Sequence, residues 1–172
     1  MKKIAVISMR SIIDKLYKDN YLSGKELLYV LNEMNEDDKL YLIKKAHETR
    51  MKTYGDKVFL RGLIEFTNYC KRNCRYCGIR ALNKNADRYR LTVSEIIEAC
   101  EKGYNLGYRT FVLQGGEDEY FTDEKIVDMV TQIKTRFKSC AITLSIGEKS
   151  YSSYKKYFDA GADRYLIRHE TA

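Results

Sequence analysis

The chain has 172 residues, and its 31 basic and 24 acidic side chains give it a formal net charge of +7. With 44% hydrophobic and 32% charged residues, it has the composition of a globular protein, which excludes an intrinsically disordered chain. It contains no proline and five cysteines, so a proline-rich linker and a disulfide scaffold are excluded as well.

The apolar and basic residues also bear on where the protein works. No stretch approaches the ~18 consecutive apolar residues of a membrane-spanning helix. The run Ile4–Met9 is too short for the apolar part of a signal peptide, so we expect a cytoplasmic protein. Two readings of this run are open: it forms an isolated strand, or translation begins at Met9. Lys and Arg are spread along the chain without a long run, which favours a solvated basic surface over nucleic-acid binding.

Residues 1–56 are predicted to form a helical N-terminal extension. Ser23-Gly24-Lys25-Glu26 is a capping box, in which the Ser and Glu side chains satisfy free amides at the start of a helix. The apolar residues that follow recur at helical spacing. Asn35 is expected to cap a second helix, which ends at Tyr54-Gly55-Asp56.

Residues 57–172 alternate between strand and helix patterns. Strands are predicted at Val58–Phe66, Arg109–Leu113, Ala141–Ser145 and Arg164–Arg168. The helices between them are predicted from the Thr92 capping box to Gly103 or Gly107, over Asp123–Lys138, and over Glu148–Ala160 with Tyr151, Tyr154 and Phe158 facing inward. Parallel strands joined by crossover helices indicate an α/β fold, here the first half (about four βα units) of a TIM-type barrel. Because a closed barrel needs about 250 residues, we expect a truncated chain whose C-terminal half is missing.

Three cysteines follow the first predicted strand with C-x3-C-x2-C spacing: Cys70, Cys74 and Cys77. Soft thiolates suit an iron–sulfur cluster, and three of them leave one iron of a four-iron cluster open for a small chelating molecule. The alternatives are unliganded cysteines and structural zinc, which needs a fourth ligand. Cys100 and Cys140 are expected to be inert buried thiols, so they are poor candidates for that ligand.

The cysteine spacing resembles that of the radical S-adenosylmethionine (radical SAM) superfamily. The resemblance implies that Cys70, Cys74 and Cys77 hold a [4Fe-4S] cluster whose open iron is chelated by S-adenosylmethionine. It also implies that an electron from the cluster cleaves this cofactor to methionine and a 5′-deoxyadenosyl radical. Tyr76, between the last two cysteines, is then expected near the adenine, with simple packing as the alternative.

The ends of the later predicted strands carry further polar groups. The resemblance assigns the cofactor's ammonium group to the segment after the second strand, Gln114, Gly115, Gly116 and Glu117, where the alternative is an ordinary tight turn. Ser145 ends the third strand. After the fourth, Arg168 can pair with a carboxylate and Glu170 can accept from an ammonium or ribose hydroxyl, unless each forms a surface ion pair. Since parallel strands end at one face, these cofactor-binding candidates are expected to lie together.

Longer segments narrow the resemblance. Gly62–Cys70, Thr110–Asp118, Ala141–Lys149 and Phe158–Ala172 resemble the HydE family of [FeFe]-hydrogenase maturases, with biotin synthase and methylornithine synthase as relatives. The resemblance implies maturation of the hydrogenase active site (the H-cluster), a small-molecule or organometallic iron substrate, companion maturases and an electron donor. The alternatives are a radical SAM enzyme of the methylornithine synthase or biotin synthase type, a nucleic-acid-modifying radical SAM protein, and a non-catalytic metal-binding or iron–sulfur-binding fragment.

Overall fold

A computed structural model describes residues 8–168 of the chain. The fold divides into two compact units, Met1–Val58 and Phe59–Ala172. Most of the predicted strand at Ile4–Met9, and the predicted cofactor contact Glu170, lie outside the described residues. Within residues 8–168, no helix is long and apolar enough to cross a membrane.

The first unit is helical, as predicted. Its helices are α1 (Met9–Asp19), α2 (Gly24–Glu33) and α3 (Glu36–Tyr54). The capping box at Ser23 is present, and the Asn35 side chain accepts a hydrogen bond from the Asp38 amide at 2.9 Å. The buried core is small and consists of Met9, Ile12, Ile13 and Val30. The two helices that were predicted individually, α2 and α3, are confirmed, although Leu31 and Leu40 on them remain 68% and 64% exposed. α1, which Ser8 caps, was not predicted as a separate helix.

The second unit is a four-stranded parallel sheet in the order β1-β2-β3-β4. The strands are β1 (Gly62–Thr67), β2 (Thr110–Gly115), β3 (Ala141–Ser145) and β4 (Arg164–Tyr165). The connecting helices are α4 (Val93–Asn105), α5 (Asp123–Arg136) and α6 (Tyr151–Asp159). The predicted α/β class with a parallel sheet is confirmed.

Alternation along the strands separates a core face from an open face. Phe111, Leu113, Ile142 and Leu144 are fully buried in the core of the second unit. Glu65 and Gln114 lie at the alternate positions, and the register places Glu65 beside Gln114 and Gln114 beside Ser145. The carboxyl ends of β1, β2 and β3 therefore lie side by side.

Strands β1 and β4 are shorter than predicted. β1 begins at Gly62 rather than Val58, and Val58 is 77% exposed. Gly62 pairs with Phe111, and the chain turns at Gly107 (φ 93°) just before β2, so β2 does not extend alongside the residues before Gly62. β4 ends at Tyr165 rather than Arg168, because β3 stops at Ser145.

The three helices of the second unit also differ from the prediction, and α5 ends at Arg136 rather than Lys138. α6 begins at Tyr151 rather than Glu148, because Ser150 caps it. Its buried aromatic residue is Tyr157, at 1% exposure, whereas Tyr151 and Phe158 are 84% and 73% exposed, so the prediction that these two face inward was wrong. α4 continues through Gly103, the first of the two predicted ends. A Cβ on Gly103 would lie 2.8 Å from the Phe111 ring, so glycine permits close packing of α4 on β2.

Candidate functional site

A cleft of about 460 Å³ opens at the carboxyl ends of the strands. It is lined by most of the predicted site residues, namely Cys70, Cys74, Tyr76, Cys77, Gln114, Gly115, Gly116, Glu117 and Arg168. Ser145 is 6% exposed at the end of β3 and is not among the lining residues. Tyr76 lines the cleft, and 63% of its surface is exposed.

The three predicted ligands lie on the loop after β1, residues 68–78, which we call the cysteine loop. All three are free thiols of intermediate burial. The Cys77 amide donates to the Cys74 carbonyl at 3.0 Å, and the Arg72 amide donates to the Cys70 sulfur at 3.4 Å. Among residues 8–168, no three His, Cys, Asp or Glu side chains are arranged to hold a metal ion. The donors fit a cluster by their chemistry, but the sulfur atoms would have to converge to bind one.

The remaining two cysteines are buried in the core, as predicted. Cys100 and Cys140 are 0% and 1% exposed and pack among the apolar residues between the sheet and the helices. Burial raises the pKa of Cys100 to about 12 and also raises the pKa of Cys140. Both thiols are therefore protonated at neutral pH, and neither lines the cleft.

Arg88 holds the segment that follows the cysteine loop. Its guanidinium donates to the carbonyls of Asn68, Ile79, Arg80 and Asn83. One half-buried cation thus supplies hydrogen bonds to backbone carbonyls of a segment that has no regular secondary structure. Sequence reasoning did not identify this role, because Arg88 stands in a polar run without periodicity.

The segment Gln114–Glu117, which we call the glycine turn, packs directly on the cysteine loop. A Cβ on Gly116 would lie 2.1 Å from the Tyr69 carbonyl oxygen and 2.6 Å from the Cys70 Cβ. The Lys71 amide donates to the Glu117 carbonyl at 3.0 Å. The close approach that Gly116 permits is therefore between the two loops.

Glu117 forms an ion pair within the cleft. Its side chain is 14% exposed, and both carboxylate oxygens lie 2.9 Å from the Nε of Arg72. On another side lies Gly147 (φ 80°), where a Cβ would lie 2.2 Å from the Glu117 Cγ. Sequence reasoning missed Arg72 as a site residue, although it stands between two of the cysteines.

Asp118 ties the base of the two loops together. Thr67 donates to its carboxylate at 2.7 Å, and Arg90 donates through Nε and one Nη at 2.7 and 2.9 Å. Burial raises the pKa of Asp118, but the hydrogen bonds from Arg90 and Thr67 outweigh it, so the pKa lies below its usual value. The Arg90 guanidinium also lies 3.8 Å from the centre of the Tyr69 ring.

A row of polar side chains crosses the open face of the sheet. Gln114 donates to the Glu65 carboxylate at 2.9 Å and accepts from Arg168 at 2.6 Å. The amide of Gln114 is thereby fixed in orientation and holds the Arg168 guanidinium at the cleft. Glu65 was not predicted, although its place between Ile64 and Phe66 puts it on the face opposite those buried residues.

The fold and the cleft define a class of protein. A model of the radical SAM superfamily matches residues 64–172. The chain belongs to this superfamily, so the predicted resemblance is confirmed. Among curated relatives, it is 44% identical over 165 residues to the [FeFe] hydrogenase maturase subunit HydE of Thermotoga maritima, covering 95% of this chain and 46% of the relative.

Two further comparisons support the same class. The chain is 30% identical to 3-methylornithine synthase of Methanosarcina acetivorans, over 99% of this chain and 49% of that enzyme. The crystal structure of a methylornithine synthase superposes with a TM-score of 0.79 at 28% identity, over 91% of this chain and 47% of that one. The predicted fold, that of a radical SAM barrel, is confirmed. The chain spans about half the length of these relatives.

Proposed function

We propose that the chain binds a [4Fe-4S] cluster and S-adenosylmethionine in the cleft and acts as a radical SAM enzyme. The observation that carries the proposal is that three free thiols line the same cleft as Glu117 and Arg168. Soft metal donors thus line the same cleft as anionic and cationic groups, as an amino acid that chelates iron requires. When bound, the cluster would supply the electron that cleaves S-adenosylmethionine to methionine and a 5′-deoxyadenosyl radical.

The chain's own residues bind and orient the cofactor in this proposal. Cys70, Cys74 and Cys77 hold the cluster, and Glu117 with the glycine turn binds the ammonium group. Arg168, held by Gln114, pairs with the carboxylate. Tyr76 lies near the adenine, and Ser145 and Glu170 complete the set of cofactor contacts.

Within the superfamily, we propose a role in maturation of the [FeFe]-hydrogenase active site. The support is the 44% identity to a hydrogenase maturase subunit, against 30% to 3-methylornithine synthase over a similar share of the chain. The substrate is then a small molecule or an organometallic iron compound, and the partners are companion maturases and an electron donor. Five reduced cysteines suit the cytoplasm, which we propose as the compartment.

The decisive experiment is anaerobic. The chain is reconstituted with iron and sulfide, mixed with dithionite and S-adenosylmethionine, and assayed for 5′-deoxyadenosine. We expect product from the wild type and from Cys140→Ala, whose thiol is buried outside the cleft, and none from Cys74→Ala. Parallel reactions containing unmatured hydrogenase and the other maturases give hydrogenase activity as a second readout.

Two results would contradict the proposal at different levels. Equal product from Cys74→Ala would refute the ligand assignment. Production of 5′-deoxyadenosine without activation of the hydrogenase, but with formation of 3-methylornithine or biotin from suitable precursors, would retain the radical chemistry and replace the proposed substrate.

A further inference from the structure

The Glu117 carboxylate is already paired with a cation of the chain itself. The Nε of Arg72 lies at the same distance, 2.9 Å, from both carboxylate oxygens, so the guanidinium occupies the position midway between them. A single ammonium group would bind best at that same position. Gly147 packs against the Glu117 side chain from another direction, which narrows the approach to the carboxylate.

Arg72 can leave this position without moving the cysteine loop. Its backbone is fixed on both sides, since its amide donates to the Cys70 sulfur at 3.4 Å and its carbonyl accepts from the Ala81 amide at 2.8 Å. Its side chain is 52% exposed. Only the flexible stem therefore has to rotate to transfer the guanidinium from the carboxylate to water.

An incoming ammonium group and Arg72 compete for one carboxylate. Two cations at a carboxylate that is 14% exposed repel each other more strongly than they would in bulk water. The neighbouring cation Lys71 pairs elsewhere, with Glu119 at 3.3 Å, and does not line the cleft. Arg72 is therefore the cation that a ligand ammonium group would have to displace from Glu117.

We propose that Arg72 is a displaceable counter-ion that occupies Glu117 while the cofactor is absent and is expelled by the cofactor's ammonium group. This inference rests on the proposed function and adds to it a control of cofactor affinity. Molecules in which Arg72 holds Glu117 cannot bind the ammonium group, so the apparent dissociation constant equals the intrinsic one divided by the fraction of molecules in which Glu117 is free. A ligand without an ammonium group gains nothing from displacing Arg72.

The test measures binding instead of turnover. Wild type, Arg72→Gln and Lys71→Gln are reconstituted, kept without reductant and titrated anaerobically with S-adenosylmethionine by calorimetry. S-adenosylmethionine carries a net positive charge, so Lys71→Gln controls for the loss of any nearby cation. We expect Arg72→Gln to bind about fivefold more tightly than Lys71→Gln. 5′-Methylthioadenosine, which lacks the amino-acid part, should bind all three chains equally.

The outcomes separate this inference from the proposed function. If the affinity of Arg72→Gln for S-adenosylmethionine equals or falls below that of Lys71→Gln, Arg72 is a fixed support of Glu117. That result would overturn the proposal that Arg72 is a displaceable counter-ion. If none of the three chains binds S-adenosylmethionine despite full iron content, the proposed function fails, and this inference fails with it. Arg72→Met, which keeps the apolar stem, replaces the glutamine variant if that variant assembles no cluster, and the same tightening is expected.

Discussion

Gly116 is the residue at which the glycine turn and the cysteine loop approach most closely. A Cβ there would lie 2.1 Å from a backbone oxygen, so Gly116→Ala must displace one of the two loops. We expect this variant to lose about 1–3 kcal/mol of folding free energy and to take up less iron and sulfide than the wild type. Chemical denaturation and iron and sulfide analysis after reconstitution measure both effects.

Gly78→Ala is the matched control for this substitution. Gly78 also lies on the cysteine loop, but a Cβ there would meet no atom within 4 Å. The control should keep the stability and the iron content of the wild type. If Gly116→Ala behaves in the same way, the two loops are not packed as tightly as the structure indicates.

The residues of the site differ in how far the sequence could predict them. The cysteines and Glu117 could be found because their chemistry and their place after a strand are visible locally. Arg72 could not, since it is one of 31 basic residues and its partner lies 45 positions along the chain. An ion pair of this kind depends on the approach of two loops, which no local pattern records.

At the scale of elements, boundaries depend on partner strands that a single segment does not reveal. Ala141–Ser145 was predicted correctly because the whole run is paired with β2. The predicted strand from Val58 began too early, because the apolar run starts four residues before Gly62, the first residue of β1 that pairs with β2. Periodicity indicates which element a segment could form, whereas hydrogen bonds to the neighbouring strands set the length of a strand.

In helix α6, likewise, the sequence alone does not reveal which side chains face the core. Of its aromatic residues, Tyr151, Tyr157 and Phe158 all stand three or four positions from Tyr154, so spacing alone does not choose among them. The choice is made by Asp123 at the start of α5, which accepts hydrogen bonds from Tyr157 at 2.5 Å and from Ser153 at 2.9 Å. Tyr157 and Ser153 therefore join the two helices through Asp123.

Tyr157→Phe removes the hydroxyl of this contact and leaves the Asp123 carboxylate short of a donor. We expect the free energy of unfolding to fall by about 1–2 kcal/mol at neutral pH. Tyr151→Phe, at a position that is 84% exposed, should change it little. Urea unfolding of the three chains followed by circular dichroism measures the difference.

The pH dependence of this effect has a definite sign. The hydrogen bond from Tyr157 is the largest cause that lowers the pKa of Asp123 in the folded chain. A lowered carboxyl pKa stabilises the fold above the unfolded pKa, and this stabilisation is lost as the pH falls through the folded value. The gap between wild type and Tyr157→Phe should therefore shrink at acidic pH. A gap that stays constant would mean that the contact does not depend on the carboxylate charge.

At the scale of the whole molecule, the proposed domains are residues 1–56 and 57–172. Every residue that lines the cleft, from Glu65 to Arg168, belongs to the second of these. The core of the sheet and its helices is likewise built from residues after Gly62. The site and its supporting core are thus contained in the second proposed domain.

The chain shortened to residues 57–172 should therefore assemble the cluster and bind S-adenosylmethionine as the full chain does. Iron content and calorimetric affinity under anaerobic conditions are the measurements. Residues 68–172 are the matched control, because they lack β1, whose Ile64 and Phe66 belong to the buried core and whose backbone pairs with β2. This shorter chain should fail to fold, since removing an apolar strand exposes the core that it covers. Loss of iron binding from residues 57–172, with the circular dichroism of the sheet and helices retained, would show that the first helices contribute to the site and would refute the proposed division.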